Sequence, residues 1–204
     1  MPKIVDRDAY RETLLEAATT LFAEHGYNIG MRDIAAALQV SKGTFYYYFP
    51  SKEALFEAVC ERVVRTDVRT LTDFAERDAP FAERLRTLLV YCLENETWFV
   101  QQFLILTDFV RVRGANEVGK NRVIQQATEE YQRAIMAYLN LDSLENATGI
   151  LIFINGLVMQ RYFDGQQTDF EAMARWLVHT LTNDGTNPVQ VKPSSKPRAS
   201  KRLR

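Results

Sequence analysis

The segment Ser41-Lys42-Gly43-Thr44-Phe45-Tyr46-Tyr47-Tyr48-Phe49-Pro50-Ser51-Lys52 gathers many groups able to touch a polyanion. Lys42 can reach a base edge or a phosphate, and the phenol hydroxyls of Tyr46, Tyr47 and Tyr48 can donate to phosphate oxygens. Lys52 adds a cation beside the free amides that open the next helix, and Arg32 offers a guanidinium from the preceding short helix. Gly43 is the informative residue. A glycine inside a short helix lowers its stability, and packing alone gives no reason for one between a lysine and a run of aromatics. A backbone that must approach another molecule closely does give one, because it leaves no room for a Cβ. The chemistry implied is recognition of double-stranded DNA by the first turn of a helix.

The elements around this segment fit that use. Tyr10, Leu14, Ala17, Ala18, Leu21 and Phe22 recur at helical spacing, with Asp6 or Asp8 as N-cap and Gly26 just past the end. Met31 to Leu38 predicts a short helix burying Ile34, Ala35 and Leu38, and Ser41 caps another, Lys42 to Phe49, burying Phe45 and Phe49. About three residues separate them. Two short helices joined so tightly cross steeply, which is helix-turn-helix geometry. Pro50 stops the third helix and Ser51 caps a long fourth. Further amphipathic stretches follow at Phe81 to Leu93, Trp98 to Val112, Val118 to Leu139, Leu144 to Phe163 and Phe170 to Leu181, with breaks near Gly114 to Asn116, Asn140 to Ser143 and Asp164 to Thr168. No stretch alternates with period two, so the expectation is an all-α chain of about nine helices without a sheet. The division expected is a three-helix head over 1–52, a helical body over 53–184 and a basic tail over 185–204.

Gly26-Tyr27-Asn28-Ile29-Gly30-Met31-Arg32-Asp33-Ile34-Ala35, followed by Val40 to Leu55, resembles the DNA-reading head of the tetracycline-repressor (TetR) family. The resemblance covers about residues 8 to 60; beyond it only the all-helical pattern agrees. It implies DNA contacts for Arg32, Lys42, Gly43, Thr44, Tyr46, Tyr47, Tyr48 and Lys52, core roles for Ile34, Ala35, Phe45 and Phe49, and a body that dimerises and holds a small-molecule effector. Two positions depart from the family pattern. Gly30 stands where a threonine or serine cap is common. Gln39 replaces the usual glycine of the turn, so it must enter the left-handed region or the turn must rearrange.

For the dimer there is some independent support. Apolar residues encircle the segment Ala147 to Val158, and a helix apolar all round needs partners on more than one side. Gly149 and Gly156 share a face and permit close helix approach. With Phe153, Trp176, Leu177 and Leu181 they make a candidate four-helix interface between two chains; a central core helix of a monomer is the plainer reading. Candidates to line an effector pocket are Trp98, Phe99, Phe103, Phe109, Tyr131, Tyr138 and Phe153, and a ligand held by them would be amphipathic and largely apolar. The same aromatics would serve equally as core.

Composition sets the outer limits. At 47% hydrophobic and 25% charged the chain is of ordinary globular type. The net charge of −1 conceals an uneven distribution: Lys192, Lys196, Arg198, Lys201, Arg202 and Arg204 put +6 on the tail and leave −7 on residues 1 to 184. Net charge therefore does not draw DNA to the body, and a local arrangement must do so. The proline- and serine-rich tail either strengthens non-specific DNA attachment or only solubilises. Cys60 and Cys92 lack metal or redox spacing and read as reduced, packed thiols. His25 and His179 stand alone, no nucleophile, phosphate-loop or metalloprotease motif occurs, and no catalytic set, cofactor or metal site is expected. With no apolar leader at the N-terminus, the expected location is the cytoplasm. The reading is a ligand-responsive homodimeric repressor on a palindromic operator, with a body that instead engages a protein as the alternative.

Overall fold

A computed structural model describes residues 6–73 and 79–182. The basic tail, and the end of the body, lie outside the described residues. Among those described, all regular structure is helical: α1 (Arg7–His25), α2 (Met31–Ala37), α3 (Lys42–Tyr48), α4 (Lys52–Asp73), α5 (Phe81–Glu94), α6 (Glu96–Arg113), α7 (Ala115–Val118), α8 (Arg122–Leu139), α9 (Leu144–Phe163) and α10 (Phe170–Thr182). That makes ten helices rather than nine. The addition is α7, a single turn at the break marked by Gly114 to Asn116, too short to leave a periodic signal.

Local chemistry explains most boundaries. Asp6 caps α1, its carboxylate accepting from the amides of Asp8 and Ala9 at 3.0 and 3.2 Å. Ser41 Oγ accepts from the Thr44 amide at 3.0 Å, and Ser51 Oγ from the Ala54 amide at 3.1 Å, opening α3 and α4. Gly30 offers α2 no side-chain cap. Between α2 and α3 the chain closes a Schellman turn, in which the Val40 amide donates to Ala35 O and the Gln39 amide to Ala36 O, both at 3.0 Å. Gln39 sits at the left-handed position of that turn with φ 55°. The helix-turn-helix geometry is therefore kept, with a side chain in a conformation that costs about 1–2 kcal/mol relative to glycine.

Two apolar cores follow, and α4 contributes to both. The first joins Leu15, Ala18 and Phe22 of α1, Ile34 of α2, Phe45 and Phe49 around α3 and Phe56 of α4. It also takes in Ile105 and Phe109 of α6, so α1 to α3 share a core with α6. Ion pairs from Arg62 to Glu12 (3.0 Å) and Glu16 (3.5 Å) tie α4 to α1. The second core packs α4 and α5 against α8, α9 and α10, around Leu85, Leu89, Leu139 and Ile150. Arg161 of α9 and Glu96 of α6, both largely buried, pair at 2.7 Å.

Candidate nucleic-acid interface and ligand cavity

The N-terminal turn of α3 is an open surface. Ser41, Lys42 and Gly43 are exposed and Thr44 half-buried. A Cβ added to Gly43 would find no heavy atom nearer than Ser41 Oγ at 3.9 Å, so nothing within the chain requires a glycine there. The three tyrosines divide. Tyr47 is 66% exposed and its hydroxyl accepts from Arg7 Nη1 at 3.4 Å. Tyr48 is half-buried with its ring edge-on to Tyr10 at 5.6 Å. Tyr46 is also half-buried, and Lys42 Nζ lies 5.6 Å from the centre of its ring. Arg32 is exposed on α2. Lys52 stands over the Tyr27 ring at 4.5 Å, and burial lowers its pKa. Arg7 did not figure among the sequence candidates. It is separated from Tyr47 by 40 residues, and only the packing of α1 across the head brings the two together.

A cavity of about 320 Å³ has walls from α4, α5, α6, α8 and α9, with Thr19 of α1 at its edge. Trp98, Phe99, Phe103 and Tyr131 of the expected aromatic set line it. The other three do not, and the sequence expectation is corrected for them. Phe109 is 1% exposed within the head core, stacked on Phe56 at 4.2 Å. It points toward α1 because the C-terminal half of α6 packs there. Tyr138 is buried in the second core and borders a separate recess beside Arg84. Phe153 turns to α10 and stacks on Trp176 at 6.0 Å.

The cavity wall also holds polar residues that the pattern did not single out. Asp67 is buried, and its Oδ2 accepts from the Tyr131 hydroxyl at 2.6 Å and the Gln102 amide at 3.4 Å. Burial raises its pKa, with the hydrogen bonds from Tyr131, Gln102 and Trp98 acting the other way. A carboxyl group whose folded pKa exceeds its unfolded value favours folding below the unfolded value, and that advantage is lost as pH rises through the folded value. Asp67→Asn is therefore expected to raise the thermal midpoint at pH 7 by about 2–4 °C and to have no such effect at pH 3, as read by circular dichroism melts. An equal shift at both pH values would contradict this account. Cys60 and Cys92 also line the cavity, and burial pushes both thiols up to about 12.

A third feature is an apolar face on α9 and α10. Ile152, Phe163 and Trp176 are more than half exposed, and Leu181 is exposed beside them. Gly149 and Gly156 are exposed, and a Cβ on either would meet nothing within 4 Å. Leu177 is corrected: it is 6% exposed within the second core and does not reach this face. No described helix is long and apolar enough to cross a membrane.

Residues 14–59, from within α1 to within α4 and including the whole of α2 and α3, match the profile of the bacterial regulatory proteins of the tetR family. The match to the TetR family is confined to this segment. Curated proteins similar to this chain include the HTH-type transcriptional repressor DhaR of Mycobacterium sp. (strain GP1), 29% identical over 64% of this chain and 67% of that one. The chain spans about two thirds or less of the length of the first curated relatives it matches. Solved structures extend the likeness to the fold of the body. A putative transcriptional regulator from Saccharomonospora viridis in complex with choline aligns at TM-score 0.64 and 22% identity, covering 87% of this chain and 98% of that one. The regulator FadR of Bacillus subtilis in complex with stearoyl-CoA aligns at TM-score 0.64 and 17% identity, covering 84% and 97%. The TetR profile ends at Val59, so Asp67, Gln102 and Tyr131 lie outside the matched segment.

Proposed function

We propose that this chain is a ligand-responsive transcriptional repressor that binds a palindromic operator as a homodimer. The observation that carries the DNA reading is Gly43, exposed in the first turn of α3 with no internal reason to lack a side chain. Lys42, Thr44 and Tyr47 flank it, with Arg7 beside Tyr47, and together they form a surface for base edges and phosphates. Tyr46 and Tyr48 combine packing with contact through their ring edges. Arg32 and Lys52 contact phosphate from the sides. Residues 1–52 act as the reading head and 53–184 as the effector and dimer body.

The apolar face of α9 and α10 pairs with its copy about a two-fold axis, the open glycines letting the helices approach closely. Two heads then enter successive major grooves about 34 Å or somewhat more apart. The cavity takes an effector, and a ligand that binds better when the heads are wrongly spaced releases the operator. The neighbours solved with choline and stearoyl-CoA, and the repressor relative, support this assignment by analogy. A selection tests it: purified protein is mixed with sheared DNA of its source organism at physiological salt, and bound fragments are sequenced. Enrichment of a few sites sharing an inverted repeat is expected. Recovery without sequence preference, from protein shown to be free of bound ligand, would overturn the operator reading.

A further inference from the structure

The cavity has an unusual polar content for its apolar walls. Asp67 is buried at the wall, and no Lys, Arg or His is among the described residues that line the space. The groups that reach its carboxylate, the Tyr131 hydroxyl, the Gln102 amide and Trp98, are donors. Each suits an anion, and none supplies a full positive charge. A buried carboxyl group without a counter-charge either keeps its proton or is met by a cation, and a cationic ligand would supply the second. Trp98, Phe99, Tyr91 and Tyr131 line the same space, and aromatic rings are surfaces to which a cation is attracted.

We propose that the ligand of this cavity is a lipophilic cation, an alkyl- or arylammonium whose nitrogen lies against the Asp67 carboxylate while its apolar part fills the space beside Phe99 and Phe103. The proposal rests on the reading of the cavity as the effector site, and it names the effector's chemical class. A ligand bearing a carboxylate or phosphate would find no cation at the wall and would face Asp67. A structural role for Asp67, tying α4 to α6 and α8 through Gln102 and Tyr131, is the competing explanation. Asparagine would serve that role almost as well, since its carbonyl still accepts from Tyr131.

Three probes of equal chain length separate these cases: decylammonium, decanol and decanoate, each titrated into the full-length protein at pH 7 below its micelle concentration, by calorimetry. Decylammonium is expected to bind roughly tenfold to hundredfold more tightly than decanol, with decanoate weakest. In Asp67→Asn the ratio of decylammonium to decanol should fall to about one, with decanol affinity retained. Decanoate binding as well as decylammonium to the unaltered protein would overturn the proposal without any variant. So would persistence of the ratio in Asp67→Asn. Binding of decanol and decanoate without decylammonium would leave the effector site standing and remove the cation. If none of the three bound, the effector reading itself would fall, and the proposal with it.

Discussion

Replacing Gly43 by methionine is expected to weaken operator binding about 100-fold, close to 2.7 kcal/mol, while the thermal midpoint stays level or rises. The two halves of that result come from different surfaces. Inside the chain the substitution is harmless, because the space around an added Cβ is open and methionine is a far better helix former than glycine. Outside it, a long side chain stands where the first turn of α3 would meet the groove. Binding by fluorescence anisotropy and melting by circular dichroism would be measured on the same preparation. Lys42→Ala provides the companion case: loss of affinity with a salt slope shallower by about one. Undiminished affinity in Gly43→Met would mean that another face of the head reads DNA.

The second large effect is expected at Phe109. Truncation to alanine should destabilise the protein by about 3–5 kcal/mol, lowering the thermal midpoint by roughly 10 °C. The ring is fully enclosed, stacked on Phe56 and edge-on to Tyr27 at 5.0 Å, so its removal opens a void where α6 meets the head. Phe103→Ala, at the 41% exposed end of the cavity wall, is the control and should cost far less. If the two variants melted together, the packing of α6 into the head core would be wrong.

The parts of this structure that sequence could reach are those governed by neighbours a few residues away. The caps at Asp6, Ser41 and Ser51 bond amides two or three positions ahead, and each was readable from residue type and place. Gln39 in the left-handed region is one of the two outcomes that its departure from the family's glycine left open, and α9 has the bounds its periodicity predicted. Contacts made at long range were not readable. Asp67 lies in α4 among charged residues at ordinary helical spacing, and its burial arises only from Gln102 and Tyr131, 35 and 64 residues further on. Aromatic spacing on α6 marked both Phe103 and Phe109 as inward-facing. It could not show that one turns to the cavity and the other to the head, because that depends on where α1 crosses α6. Leu177 and Trp176 are adjacent in sequence, yet a turn of about 100° per residue sends one into the core and leaves the other outside.

The two cysteines give the cavity a further property. With their thiols held near 12, only on the order of one in 10⁵ carries the reactive thiolate at pH 7. Maleimides and other electrophiles meet almost no nucleophile while the walls are closed, so the rate of labelling counts how often the helices part. Cys92, buried where Cys60 is only partly so, is in this sense a built-in clock for the breathing of the helices around it, readable by mass spectrometry without any engineered probe.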